Sequence, residues 1–166
     1  IWGTLISLSK KKEVILGIAD IPALDERYVG YSKVSYKIKN GKKTKLKVRN
    51  TEKIKDSILN TTSPYVFANK KDQKIFEKIA NEVKTVRLGG DCYSYCLLAD
   101  GHIDLVIESG LKPWDIRALE PIIINAGGII KTWEGNSIFH GGRIIAATNN
   151  KLLKKVKSEM NKKKPS

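Results

Sequence analysis

Two neighbouring segments carry the residues best suited to chemistry: Arg87-Leu88-Gly89-Gly90-Asp91-Cys92-Tyr93-Ser94-Tyr95, and then Glu108-Ser109-Gly110-Leu111-Lys112-Pro113-Trp114-Asp115. They set three carboxylates and a glycine pair around two expected helix starts. Helix N-termini present unpaired backbone N–H groups and the positive end of a dipole, so anions bind there. Carboxylates beside them suit a hard cation such as Mg²⁺, which takes oxygen ligands and shares them with a substrate phosphate. A lone Asp at a helix start is most often an N-cap. The chemical reading therefore rests on the whole arrangement.

The second segment continues as Trp114-Asp115-Ile116-Arg117-Ala118-Leu119-Glu120-Pro121, then Ile122 to Asn125, then Ala126-Gly127-Gly128. This resembles a signature of the Mg²⁺-dependent inositol monophosphatase-like phosphatases, Trp-Asp-x-Ala-Ala followed by an apolar helix and Ala-Gly-Gly. The Gly-Gly-Asp-Cys-Tyr-x-Tyr and Ala-Leu-x-Pro runs are more similar to the histidinol-phosphate phosphatase branch than to the inositol branch. Arg117 departs from the pattern, because the family usually carries a small residue there. The resemblance runs from residue 1 to about residue 157. Ile1 to Ile6 resembles the strand that follows the family's first signature, Asp-Pro-x-Asp-Gly-Thr. That signature and the Glu upstream of it supply most of the family's metal ligands, and neither is in this sequence. The chain is expected to be the C-terminal part of a longer protein.

The resemblance implies an α/β fold, the layered αβαβα sandwich of the inositol monophosphatase type with an incomplete first sheet. Residues 1–50 would complete that sheet, residues 51–160 would form the C-terminal α/β half, and residues 161–166 a disordered tail. It also implies Mg²⁺ as cofactor with Asp115 as a ligand. Gly89, Gly90, Asp91, Glu108 and Asp115 would contact the substrate, and the catalytic groups would lie upstream. Glu108 precedes Asp115 by seven residues, the family's spacing. The implied activity is hydrolysis of a small phosphorylated alcohol, with L-histidinol phosphate in histidine biosynthesis favoured and Glu108 pairing with its amine. Another phosphate ester, or a catalytically incomplete module of the same fold, stays open. The family also implies a cytoplasmic homodimer with a small-molecule substrate and neither nucleic acid nor membrane as partner.

Each residue has a plainer role beside this one. Asp115 and Asp91 could simply cap helices, Glu108 could be a strand-end carboxylate in solvent, and Trp114 reads as packing. Arg87 reads as a structural ion-pair residue and His102 as a surface turn.

Composition narrows the alternatives. The chain has 166 residues, of which 41% are hydrophobic, enough for one ordinary core. No apolar run approaches the roughly 20 residues of a membrane-spanning helix. Cys92 and Cys96 lack further soft ligands at metal spacing, so they read as small buried thiols of a reducing compartment. The net charge is +14, but residues 33–55 hold ten Lys/Arg against one Glu, and residues 151–166 hold seven Lys against one Glu. Residues 88–128 carry six acids against Lys112 and Arg117. A reader of phosphate backbones would place its cations around the site, with aromatics to stack bases. Lysine-rich solvated faces fit this distribution better.

The elements that must position the site follow from periodicity. Gly3 to Ser9 and Glu13 to Asp20 read as paired strands, Arg27 to Ser32 as a third, and Val34 to Ile38 with Thr44 to Val48 as a hairpin about Asn40-Gly41. Glu52 to Leu59 reads as a short helix, Thr61 to Pro64 as its stop, and Tyr65 to Ala68 as a strand. Asp72 to Val83 is an amphipathic helix, with Ile75, Phe76, Ile79 and Val83 on one stripe. Thr85 to Leu88, Ile103 to Glu108, Ile129 to Trp133 and Arg143 to Ala147 read as strands. Tyr93 to Ala99, Trp114 to Asn125 and Leu152 to Met160 read as helices.

Overall fold

A computed structural model describes residues 2–162. The first sheet is an antiparallel meander of β1 (Thr4–Lys10), β2 (Glu13–Ile21), β3 (Glu26–Tyr31), β4 (Val34–Lys39) and β5 (Lys42–Lys45), in that order. Asn40 and Gly41 both take positive φ, 48° and 70°, as a tight hairpin between right-twisted strands requires. The second sheet is mixed. It contains β6 (Ile58–Thr61), β7 (Thr85–Leu88), β8 (Leu105–Leu111), β9 (Ile129–Thr132) and β10 (Gly142–Ala147), in the order β7-β6-β8-β10-β9. Strand β6 runs parallel to both β7 and β8, and β10 is antiparallel to β8 and β9.

The helices are α1 (Lys70–Ala80), α2 (Cys92–Ala99), α3 (Pro113–Ile116), α4 (Leu119–Asn125) and α5 (Asn150–Asn161). Helices α2 and α4 lie between the sheets, where Tyr95, Leu98, Leu119 and Ile122 join Ala19, Tyr28, Val106 and Ile130 in one core. Helices α1 and α5 cover the far face of the second sheet, where Phe76, Ile79, Leu152 and Val156 meet Leu59, Leu105, Ile107 and Ile145. The layers run β, α, β, α.

Helix α4 sits very close to the first sheet. A Cβ on Gly17 would fall 1.9 Å from the Ala118 carbonyl oxygen, and one on Gly30 would fall 2.4 Å from the Ile122 nitrogen. Only hydrogen fits there. Glu26 adds a polar tie between the same layers: it is buried and accepts from Tyr28 Oη at 2.7 Å, Tyr93 Oη at 3.0 Å and Lys39 Nζ at 2.8 Å. Burial opposes its charge, but these donors outweigh burial and hold the carboxyl below its usual range.

Four local expectations need correction. The segment expected to be helical over Glu52 to Leu59 is a 3-10 turn at Ile54–Asp56 followed by β6. Leu59 is fully buried, and pairing with both β7 and β8 outweighs a weak local preference. The strand expected at Tyr65 to Ala68 is a 3-10 turn at Pro64–Val66, started by the Ser63 hydroxyl accepting from the Tyr65 N–H. The helix expected from Trp114 to Asn125 divides into α3 and α4. Pro121 has no N–H to return to the Arg117 carbonyl, so the ladder is interrupted although Arg117 and Ala118 keep helical dihedrals. Helix α5 runs to Asn161, one residue into the segment expected to be tail, and residues 163–166 of that expectation lie outside the described residues.

The outer face of the first sheet is apolar and uncovered. Register places Ile6 beside Ile18 and Leu8 beside Leu16, and Leu16 beside Tyr31 and Val34 in turn. Ile6, Leu8, Tyr31 and Val34 are each more than 40% exposed. A contiguous apolar patch of this kind promotes association. The 166-residue chain expressed alone is expected to self-associate with rising concentration, and Ile6→Lys with Leu8→Lys to reduce this. Light scattering after size exclusion measures it, and a strictly monomeric chain at high concentration would contradict the expectation.

Candidate functional site

The carboxyl ends of the three parallel strands β7, β6 and β8 lie side by side, the usual place for a site in an open α/β sheet. The Gly89-Gly90-Asp91 turn follows β7, Thr62 follows β6, and Glu108 to Asp115 occupies the end of β8 and the start of α3.

The turn before α2 is tight and strained. Gly89 and Gly90 take φ of 84° and 106°, and a Cβ on Gly90 would fall 2.6 Å from Ser94 Oγ. The Gly89 N–H donates to the carbonyls of Thr61 and Thr62 at 3.1 and 3.0 Å, which fastens this turn to the end of β6. Asp91 follows with φ 44° and ψ −127°, at the second position of a turn closed by Tyr93 N–H donating to Gly90 C=O at 2.8 Å. That conformation suits glycine, and a non-glycine residue there costs about 1–3 kcal/mol. The capping role considered for Asp91 is not observed: its side chain makes no cap hydrogen bond and is exposed. Asp91→Gly is expected to stabilise the fold by about 1 kcal/mol by relieving this strain. A denaturant midpoint that fell would contradict the strain argument.

Glu108 is buried, only 2% exposed, which overturns its reading as a solvated strand end. The Thr62 N–H donates to its Oε1 at 2.9 Å and the Thr62 hydroxyl donates to the same oxygen. The Tyr95 hydroxyl donates to Oε2 at 2.9 Å. Among the described residues no Lys, Arg or His forms a salt bridge with it. Burial raises its pKa against the opposing effect of the Thr62 and Tyr95 donors, and the Asp91 carboxylate raises it further. Burial and the Glu108 carboxylate in turn keep Tyr95 protonated. Beside this cluster, buried Ser94 donates to Asn60 Oδ1 at 2.7 Å and joins α2 to β6.

Asp115 is half-buried at the third position of α3, and its Oδ2 accepts from the Lys112 N–H at 2.7 Å. The capping contact is therefore made, by reaching back from inside the helix, and Oδ1 is left without a hydrogen bond among the described residues. No group of three or more His, Cys, Asp or Glu side chains able to hold a metal occurs among the described residues. Asp115 alone fits one ligand position of a Mg²⁺ site, and one carboxylate does not hold Mg²⁺ against water.

Trp114 and Arg87 differ from expectation. Trp114 does not pack in the core but is 73% exposed, because it lies on the solvent side of the one-turn helix α3. Arg87 is exposed and forms no ion pair among the described residues. Arg117 is held by the 133–141 loop: its Nε donates to the Phe139 carbonyl at 2.8 Å and its guanidinium lies 3.7 Å from the Phe139 ring centre. Its cation is thus committed to packing. His102 is exposed, as expected, with Asp100 at 3.2 Å. Cys96 is buried and Cys92 half-buried, both as free thiols, and burial pushes both pKa values up.

A model of the "Inositol monophosphatase family" matches residues 1–164. The chain belongs to the inositol monophosphatase family. It is 44% identical over 140 residues to the chloroplastic bifunctional phosphatase of Arabidopsis thaliana, covering 81% of this chain and 38% of that protein. It is 28% identical over 163 residues to the histidinol-phosphatase of Mycobacterium tuberculosis, covering 97% of this chain and 62% of that one. The solved structure of an inositol monophosphatase from Zymomonas mobilis superposes with a TM-score of 0.89 at 37% identity, over 96% of this chain and 62% of that chain. The α/β sandwich architecture is thus the family's. The chain spans from about two fifths to three fifths of the length of these relatives. No helix among the described residues is long and apolar enough to cross a membrane.

Thr62 and Tyr95 contact Glu108, and the sequence assigns neither a role of its own. Thr61 to Pro64 reads locally as a helix stop, and its hydroxyls gain a role only when β6 is placed beside β8. The signal for Tyr95 is a hydroxyl in an otherwise apolar helix, where a buried O–H must find a partner.

Proposed function

We propose that the complete protein carrying this chain is a Mg²⁺-dependent phosphomonoesterase whose substrate bears a cationic amine, with L-histidinol phosphate the best fit. The observation that carries this reading is Glu108, a buried carboxylate with three hydrogen-bond donors and no cation among the described residues. Buried charges are normally paired or bound to metal. A substrate ammonium supplies the missing partner at the end of β8, seven residues before Asp115.

The distribution of charge supports the rest. Asp91, Glu108 and Asp115 face a phosphate with like charge, so a phosphate ester enters only with cations to neutralise it. Mg²⁺, when bound, supplies that neutralisation and lowers the pKa of bound water. Asp115 would offer one carboxylate oxygen to such a site while its other oxygen fixes the start of α3. The Gly89-Gly90-Asp91 turn, tied to β6, would border the alcohol part of the substrate. The resemblance to histidinol-phosphatases favours the amine reading, and the likeness to the Zymomonas inositol monophosphatase keeps a neutral polyol ester as the second reading.

Phosphate release from a panel of monoesters by the full-length protein, with Mg²⁺ and then with chelator, tests the proposal. Release that is lost with chelator and highest on histidinol phosphate is expected, and Mg²⁺-independent release would contradict it. The 166-residue chain alone is expected to release no more than a trace, since it offers Asp115 without a cluster of ligands. Turnover near that of a complete enzyme would show that this chain binds its metals by itself.

A further inference from the structure

We propose that Tyr95 is a positioning residue that, together with Thr62, aims a single free lone pair of Glu108 at the substrate and so sets the preference for an ammonium group over a hydroxyl. The inference rests on the reading of Glu108 as the amine-binding carboxylate.

Three segments converge on this one side chain. Glu108 comes from β8, Thr62 from the turn after β6, and Tyr95 from the first half of α2. Two donors of Thr62 occupy Oε1, and the Tyr95 hydroxyl occupies one side of Oε2 at 2.9 Å. An ionised carboxylate has about four lone-pair positions, so one remains, on Oε2. The Asp91 carboxylate adds to the rise of the Glu108 pKa, and the Asp115 carboxylate bears on Tyr95. Both are anionic, so neither supplies the counter-charge.

The Tyr95 ring is 1% exposed and belongs to the core between the sheets, so its hydroxyl is held rigidly. Packing does not require that hydroxyl, since phenylalanine would fill the same space. Among the described residues its one hydrogen bond is the one to Glu108. With Tyr95 in place the carboxylate cannot rotate to offer two oxygens to a polyol. A rigid, ionised acceptor with one open position gains far more from an N⁺–H donor than from a neutral O–H. Without the hydroxyl, Thr62 still holds Oε1 but Oε2 has two open positions, and the carboxylate accepts neutral donors as well.

The test is Tyr95→Phe in the full-length protein with Mg²⁺, comparing histidinol phosphate with glycerol phosphate. KM for histidinol phosphate is expected to rise about tenfold with kcat little changed, the size of one weakened charge-assisted contact. For glycerol phosphate kcat should stay near its starting value and KM should hold or fall, because Glu108 gains an open acceptor position. A purely structural role would instead lower kcat on both substrates together, and that result would overturn the proposal. Thr62→Ala removes one donor with little packing change and should shift the same ratio by a smaller factor, which keeps the test usable if Tyr95→Phe folds poorly. Glu108→Gln separates the two levels of the argument. If Glu108→Gln leaves the substrate ratio unchanged, the amine reading of Glu108 has failed. If Glu108→Gln collapses the ratio while Tyr95→Phe and Thr62→Ala leave it intact, the positioning role of Tyr95 has failed.

Discussion

Asp115→Asn in the full-length protein is expected to reduce turnover about a hundredfold or more while changing folding stability by less than about 1 kcal/mol. The amide oxygen can still accept from the Lys112 N–H, the 2.7 Å contact that starts α3, so the backbone has little reason to move. The negative charge that would hold Mg²⁺ is lost. Turnover should recover only in part at high Mg²⁺, because a weakened ligand can be offset by mass action but a displaced metal cannot. Steady-state rates and a denaturant titration on the same preparation separate the two effects. Unchanged turnover at saturating Mg²⁺ would leave Asp115 with its capping role alone.

Glu108→Gln is expected to weaken turnover of histidinol phosphate by about 10- to 100-fold, the loss of one charge-assisted contact of about 1.5–3 kcal/mol. A neutral ester such as glycerol phosphate should lose much less, because it brings no cation. Stability should move in the opposite sense. A carboxyl whose pKa is raised in the fold binds its proton more tightly folded than unfolded, so its charge opposes folding above the unfolded pKa, and the opposition fades as pH falls. Removing that charge should therefore raise the melting temperature at neutral pH and leave it little changed in acid. Equal losses on charged and neutral esters would remove the amine role and place the polyol reading first.

Much of the scaffold was legible because local patterns and tertiary demands agree. The alternation in β1 to β4, the Asn40-Gly41 turn and the Ile75, Phe76, Ile79 stripe of α1 all point where the fold puts them. Segment 52–68 departs from its local pattern because its short elements owe their form to neighbours. Ile58 and Leu59 are strand only because β7 and β8 flank them, and pairing of that kind leaves no period in so short a run. The break in Trp114 to Asn125 is in principle visible at Pro121, the eighth residue of that span, which has no N–H to return to Arg117. Within the site, Gly89, Gly90, Asp91, Glu108 and Asp115 come from two neighbouring segments at the same end of the sheet. The partners of Glu108 could not be read, because Thr62 stands 46 residues before it and Tyr95 13 residues before it on a different element. Arg117, which departs from the family's small residue, is held against Phe139, 22 residues on in the sequence.

The most direct test of the central claim is a competition assay. Histidinol phosphate and inositol phosphate are supplied together at equal concentration to the full-length protein with Mg²⁺, and the ratio of histidinol to inositol formed is read at early times. That ratio reports relative kcat/KM and does not depend on the amount of active enzyme. The account predicts histidinol in excess by at least about tenfold, the discrimination expected when only one substrate can neutralise a buried carboxylate. Equal amounts of the two products, or an excess of inositol, would contradict it.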